Sequence, residues 1–157
     1  MRIPSKRVIR RGGILVESVL TIMVYVTLSL GTVDLGLAVF QDHIVSEAAR
    51  QGARIATVHG SLAPSGWNGG VWGPTAYSGA GNSTDTIPSA MRGAGLLAGL
   101  DASNMTISVR WPTGSNIARS GDTVQVTVST TWRPLLGLVF DTSARTLTAT
   151  SVMPIAH

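Results

Sequence analysis

The stretch GGILVESVLTIMVYVTLSLGTVD, residues 12–34, decides the fold of this chain. Sixteen residues without a formal charge separate Glu17 from Asp34. A helix needs about 20 predominantly apolar residues to cross the ~30 Å hydrocarbon core of a bilayer. A core helix of a soluble protein usually keeps a polar stripe, whereas this segment is apolar on all sides. Residues 13–34 are therefore predicted to form a transmembrane helix.

Basic residues are concentrated in front of this helix. Residues 1–12 contain five Lys or Arg and no acid, whereas the remainder contains seven Arg and eight acids. Lys and Arg remain on the cytoplasmic side of a membrane. We therefore expect a single-pass protein of the bacterial cytoplasmic membrane, with the basic leader in the cytoplasm and the C-terminal domain on the outer side of the membrane. The near-neutral remainder lacks the basic face that nucleic-acid binding requires. The absence of cysteine excludes disulfides and thiol nucleophiles.

The segment after the span differs from a signal-peptide cleavage site. Asp34 is followed by Leu-Gly-Leu-Ala, which contains no A-x-A pattern, and the helical periodicity continues beyond it. We therefore expect the apolar helix to remain in the mature protein. Any cleavage should fall before it, at the two glycines.

Glu17 is an ionisable residue just inside the apolar segment. A carboxylate at the centre of a span costs about 2.5–3.5 kcal/mol, and less near the interface. Glu17 lies only about 6–8 Å from the start of the apolar run. Two interpretations remain open. In the first, the Glu17 carboxylate reaches the headgroup region. In the second, cleavage between Gly12 and Gly13 creates an amine at Gly13, and Glu17 pairs with this amine on a neighbouring helix that is displaced along its axis.

Beyond the span, residues 35–59 are predicted to continue as an amphipathic helix. Apolar or small residues recur at spacings of three and four, at Leu37, Phe40, Ile44, Ala48, Gly52 and Ile55. The small residues permit close backbone approach, either to the protein's own sheet or to another subunit. The candidate subunit-packing residues are Glu17, Leu37, Phe40, Ile44, Ala48 and Gly52.

Two segments together form a recognisable pattern. RRGGILVE, residues 10–17, follows a basic leader, and VDLGLAVFQDHIVSEAARQGARIATVHG covers residues 33–60. Residues 10–60 resemble the TadE-like pseudopilins. The matching motif positions are Asp34, Gly36, Phe40, Ala48, Ala49, Arg50, Gly52, Ala53 and Arg54. One departure is Ser18, where the major pilins of that system carry Tyr after the Glu.

The resemblance implies processing by a prepilin peptidase at Gly12 and Gly13, with cleavage after either glycine. Cleavage after Gly12 would make Glu17 the fifth mature residue. It also implies a role in assembling a tight-adherence (Flp, type IVc) pilus, with other pilins or pseudopilins, pilus assembly proteins and the lipid bilayer as partners. Because about 100 residues follow the helix, the chain looks like a minor pseudopilin rather than a short major subunit.

The remaining sequence predicts an exported domain. Residues 60–84 are expected to be a Gly-rich loop whose Trp67, Trp72 and Tyr77 either contact partners or fold back onto a sheet. Within residues 85–157 the pattern predicts a short helix from 84 or 85 to about 98, strands near 105–111 and 124–128, and a weaker strand near 147–153. The apolar run 135–140 is either a buried turn or an exposed patch. The predicted fold is α+β: a long N-terminal helix plus a small antiparallel sheet with one short helix.

The sequence offers no recognisable catalytic constellation. His43 and Glu47 have metal-ligand spacing on one helical turn, but no third ligand accompanies them. We expect no enzyme activity, cofactor, metal or small-molecule substrate. Two other interpretations stay open: a bitopic membrane-anchored binding module with an uncut N-terminus, and a secreted adhesive domain behind an ordinary signal peptide.

Overall fold

The computed structural model describes residues 11–64, 70–117, 121–134 and 143–156. The predicted α+β architecture is confirmed, with a long apolar helix followed by an antiparallel sheet and a short helix. The elements are α1 (Arg11–Thr57), β1 (Tyr77–Ala80), α2 (Thr86–Gly93), a 3₁₀ turn (Ala102–Asn104), β2 (Met105–Arg110), β3 (Thr123–Trp132) and β4 (Arg145–Pro154). Residues 1–10 of the leader, Trp67 and the run 135–140 lie outside the described residues.

Helix α1 is a single element of 47 residues, about 70 Å long. No proline occurs between Pro4 and Pro64 to interrupt it. Hydroxyl groups within the apolar part donate to the carbonyl oxygen one turn earlier, as Thr21 Oγ1 does to Glu17 O at 2.9 Å. Such bonds satisfy a polar side chain where water is excluded. The helix continues without a break through residues 34 and 35, as predicted, and ends at Thr57 rather than at 59.

The four described strands form one antiparallel sheet in the order β1-β2-β3-β4. Period-2 alternation places the buried residues of β2 opposite those of β3, with Ile107 paired to Val128 and Val109 to Val126. Strand β4 runs for ten residues despite Ser151, which pairs with Val126. Strand β1 lies inside the segment predicted as loop, so that residues 60–84 are not loop throughout.

The core lies between one face of the sheet and the C-terminal part of α1, with α2 beside it. Its α1 residues are mostly alanines, which are almost inaccessible to solvent: Ala48, Ala49, Ala53 and Ala56. Gly52 belongs to the same face, where a Cβ atom would lie 2.6 Å from Met91 Cε and 3.3 Å from Val126 Cγ1. Small residues on α1 therefore allow the helix axis to approach the sheet closely.

Helix α2 is shorter than predicted and ends at Gly93 rather than near 98. Gly95 follows in the left-handed region (φ 73°), and Leu96 N donates to Met91 O at 3.1 Å. A glycine in this conformation is a common helix stop, because a Cβ atom disfavours positive φ. The chain then continues through a turn to residue 100 beside α1.

Candidate assembly surface along the first helix

The N-terminal part of α1 is exposed on all sides. Large apolar residues stay open to solvent, for example Leu15 at 68 %, Tyr25 at 73 % and Leu28 at 70 %. Among the described residues, α1 is the one helix long and apolar enough to cross a membrane by length and composition. Exposing an apolar surface of this size to water is unfavourable, so this part of α1 is expected to contact lipid or protein.

The predicted processing residues lie at the start of this exposed segment. Gly12, Gly13 and Glu17 are all exposed and all helical. Gly13 and Glu17 are four residues apart, which places them about one helical turn, ~6 Å, from each other along the axis. Their roles in processing and pairing stay predictions.

The predicted subunit-packing stripe divides into two parts. Leu37 is 41 % and Phe40 60 % exposed, and Ile44 is half-buried. Ala48 and Gly52 are instead buried within this chain, against the sheet and Met91. The sequence left open whether these small residues pack against the protein's own sheet or against another subunit. In the structure they pack against the protein's own sheet. Subunit packing stays a prediction for Leu37, Phe40 and Ile44.

The predicted family-motif residues also separate by environment. Ala49 and Ala53 are buried in the core, whereas Arg50 and Arg54 are exposed on the other side of the same turns. Gly36 is exposed within α1. Asp34 is only 7 % exposed, unlike its apolar neighbours. The motif therefore combines core residues with a charged outer face.

A groove that sequence analysis missed lies beside the exposed part of the stripe. It has a volume of about 270 Å³ and is lined by Ile44, Glu47, Ala48 and Gln51 of α1 and by Ala94, Gly95, Leu96 and Ala98. At its rim, Gln51 Nε2 donates a hydrogen bond of 2.6 Å to Glu47 Oε1. The only sequence signal for it was the three glycines between 93 and 99, which weakened the helix prediction there.

The described residues contain no group of three or more His, Cys, Asp or Glu that could hold a metal ion. Glu47 is engaged with Gln51 at the groove rim, while His43 is exposed. The polar side chains with shifted pKa values lie elsewhere, in the segments around the sheet. Side-chain and backbone hydrogen bonds from Ser103 lower the pKa of Asp101, which caps the 3₁₀ turn.

Two aromatic residues of the 60–84 segment, Trp72 and Tyr77, fold back onto the protein. Trp72 is 3 % exposed and stacks on His59, with ring centroids 4.3 Å apart and planes at 18°. Asn116 Nδ2 donates to the carbonyl oxygen of Trp72 at 2.9 Å. The Tyr77 hydroxyl on β1 donates to Asp85 Oδ2 at 2.8 Å. The contacts of Trp72 attach this segment to the end of α1 and to the β2–β3 connection. The contact of Tyr77 attaches β1 to the residue before α2.

A family model for TadE-like proteins matches residues 12–54. Comparison with curated proteins and with solved structures gave no match. The matched segment contains the exposed apolar half of α1, the acid at its start and the core alanines that join it to the sheet. The predicted resemblance is confirmed for residues 12–54, which form most of α1 and are similar to TadE-like proteins.

Proposed function

We propose that this protein is a minor pseudopilin that a prepilin peptidase processes and that takes part in assembling a tight-adherence (Flp) pilus. The observation that carries the proposal is the TadE-like match over residues 12–54, since it coincides with a helix whose apolar half is exposed. An apolar helix of this kind can lie in lipid and can also pack against similar helices. The protein then acts by assembly and not by catalysis.

The basic leader supports a defined orientation. Five Lys or Arg in residues 1–12 favour a cytoplasmic N-terminus and an exported C-terminal domain. Removal of the leader after Gly12 or Gly13 would create an amine about one turn from Glu17. Pairing of this amine with Glu17 of a staggered neighbour would relieve the desolvation of both charges when the helix leaves lipid.

One observation favours the alternative, a bitopic anchor with an uncut N-terminus. In the structure Gly12 and Gly13 lie within a helical turn of α1. A protease needs extended backbone, and a stable helix would hide the bond. Two adjacent glycines weaken this turn, because each costs about 1 kcal/mol relative to alanine in a helix. Local unwinding at these two glycines is compatible with processing.

The N-terminal residue of the mature protein, isolated from membranes, distinguishes the interpretations. Processing as proposed gives Gly13 or Ile14. Met1 would support the uncut anchor, and a start near residue 40 would support a secreted domain.

Glu17→Leu tests the pairing. We expect the variant to insert in the membrane but to be lost from pilus-assembly complexes, because the amine keeps no acidic partner. Thr21→Leu is the matched control, since it also replaces a polar residue of the span by leucine one turn later. Normal assembly of Glu17→Leu would contradict the pairing.

A further inference from the structure

The end of the β3–β4 pair that faces the apolar half of α1, here called the hairpin end, carries Trp132, Arg133 and Arg145. We propose that these three residues bind the headgroups of anionic lipids in the membrane that α1 spans. The inference rests on the proposed function, because it requires α1 to be anchored in a bilayer with the sheet on its outer side. The sheet then makes a second contact with the membrane, beside the span.

The direction of β3 and β4 relative to α1 follows from one hydrogen bond. Ala156 N, just after the end of β4, donates to Thr57 O at 3.0 Å. The C-terminal end of β4 therefore lies beside the C-terminal end of α1, and α1 packs along both β3 and β4. The opposite end of the two strands, where Trp132 pairs with Arg145, is directed toward the apolar half of α1.

The level of the hairpin end along α1 follows from a contact in the core. An added Cβ at Gly52 would lie 3.3 Å from Val126 Cγ1. Trp132 is six residues further along β3, which corresponds to about 20 Å. The same distance toward the N-terminus of α1 is about 13 residues, which leads from Gly52 to about residue 39. Trp132 and its partner Arg145 are therefore level with this part of α1.

The boundary of the membrane lies close to the same level. The uncharged run ends at Asp34, and the next charged residue of α1 is Asp42. Between them Leu35 and Phe40 are 69 % and 60 % exposed. The headgroup layer extends about 5–8 Å beyond the hydrocarbon core on each side of a bilayer. Residue 39 lies about 8 Å after Asp34 along the helix, so the hairpin end reaches the headgroup layer.

The side chains of the hairpin end suit the chemistry of that layer. Arg133 and Arg145 are exposed, and Trp132 is half-buried. A guanidinium group binds phosphate oxygens through two parallel hydrogen bonds, and Trp is enriched where hydrocarbon meets headgroups. Among the described residues between 131 and 146 the charged side chains are these two arginines, while Asp141 lies outside the described residues. The described charge of the hairpin end is therefore positive and complementary to an anionic lipid.

Two acids lie at the same end of the sheet, on the side of β1 and β2. Asp101 accepts hydrogen bonds from Ser103 N at 3.0 Å and from Asn104 Nδ2 at 2.8 Å. Asp85 accepts one from the Tyr77 hydroxyl at 2.8 Å. Both carboxylates are thus engaged by neighbouring residues, whereas the two arginines follow β3 and begin β4.

Site-directed labelling tests the position of the hairpin end, since the chain contains no cysteine. Thr146→Cys is labelled with an environment-sensitive fluorophore, and the full-length protein is reconstituted in vesicles of phosphatidylcholine and phosphatidylglycerol. Thr146 is exposed and follows Arg145. Lipids that carry a nitroxide close to the headgroup should quench this label.

Val152→Cys is the matched control, because Val152 is also exposed and belongs to the same alternate set of β4 residues. It lies six residues, about 20 Å, further from the hairpin end, and its label should be quenched little. Leu28→Cys, within the span, reports whether α1 is inserted. A quenched label at Leu28 with equal quenching at Thr146 and Val152 would overturn the lipid contact but not the membrane anchoring. An unquenched label at Leu28 would overturn both.

The preference for anionic lipid gives a second readout, the ratio of quenching by nitroxide-labelled phosphatidylglycerol to quenching by its phosphatidylcholine counterpart. Arg133→Gln and Arg145→Gln should each lower the relative association constant about fivefold, the equivalent of ~1 kcal/mol. Arg110→Gln is the control, because Arg110 is exposed at the far end of β2 and should not change the ratio. Equal quenching by the two lipids in the unmodified sequence background would refute the recognition of anionic headgroups. A protein with an uncut Met1 that keeps the preference would refute the processing but not the lipid contact.

Discussion

The two halves of α1 use apolar residues in opposite ways. Between residues 12 and 33 the large side chains point outward and remain exposed, as Val24 (59 %) and Leu28 (70 %) do. From residue 45 onward the buried side chains are mostly alanines, such as Ala49 and Ala53 at 1 % and 0 %. One continuous helix therefore carries two different surfaces.

The difference shows that side-chain size, and not hydrophobicity alone, separates the two environments. Lipid accommodates large branched side chains on every side of a helix and offers no reason to keep them small. A sheet packed against the helix supplies its own bulky residues, and the helix contributes small ones so that the backbones come close. Four predictions test this division, from the largest expected effect to the smallest.

The largest change in the free energy of unfolding is expected for the large side chains of the sheet that pack against the alanines of α1. Ile107 is fully buried, at 0 % exposure, in the core beneath α1. Ile107→Ala should lower the free energy of unfolding of the domain formed by the sheet and the C-terminal part of α1 by about 2–5 kcal/mol, because it removes buried methyl groups and leaves a cavity. Denaturant titration of the full-length protein in detergent micelles, followed by tryptophan fluorescence, measures this change.

Leu28→Ala is the matched control in the other half of the helix. Leu28 is 70 % exposed, so its truncation should change the same free energy by no more than about 0.5 kcal/mol. Similar losses for Ile107→Ala and Leu28→Ala would mean that the exposed half of α1 is also part of the domain core. The proposed division of the helix would then be wrong.

Two glycines of α1 provide a closer comparison. At Gly52 an added Cβ already lies 2.6 Å from Met91 Cε, whereas at Gly36 no described atom outside the helix backbone lies within 4 Å of it. Gly52→Val should cost about 1–3 kcal/mol through overpacking. Gly36→Val makes the same change in helix propensity without the clash, so the same titration should show no loss. Equal stability of the two variants would contradict close packing at Gly52.

Periodicity predicted most of the fold, because it reports which face of an element is buried. The alternation in β2 and β3 and the long apolar run of α1 each persist over many residues. Strand β1 could not be predicted in this way. It has only four residues, one of them Gly79, and its extended form depends on pairing with β2, as in Tyr77 opposite Val109.

The sequence predicted which residues of α1 form the candidate site, but it did not predict which elements they contact. The small residues Ala48 and Gly52 suit a sheet and a partner helix equally well, and only the tertiary structure shows that the sheet is there. Trp72 stacks on His59 and accepts a hydrogen bond from Asn116, which lies 44 residues further along the chain. Local sequence contains no signal for such a contact.

The contact between Asn116 and Trp72 extends the comparison to the loops around the sheet. Asn116→Ala removes the donor to a buried carbonyl oxygen, and should lower the free energy of unfolding by about 1–3 kcal/mol. Asn82→Ala, at an exposed turn, is the control and should stay within about 0.5 kcal/mol. Trp72 fluorescence should shift to the red in Asn116→Ala alone. An unchanged spectrum and stability would show that the loop is held by stacking on His59 without the hydrogen bond.

The smallest effect concerns acid, which should lower the stability of the sheet domain and leave the helical content of the apolar half of α1 unchanged. Hydrogen bonds with Ser83 and then with Tyr77 lower the pKa of Asp85 in the folded protein. The stability that Asp85 contributes is therefore complete above its unfolded pKa of about 4 and is lost as the pH falls through the lower folded value. Burial, and then the hydrogen bond with Asp85, raise the pKa of Tyr77, so its contribution is lost only as the pH rises above about 10. Thermal unfolding of the full chain between pH 2 and 7 should show a small acid-induced decline that Asp85→Asn reduces. An undiminished decline in Asp85→Asn would assign the acid sensitivity to other carboxylates, because a neutral amide at this position has no proton to gain.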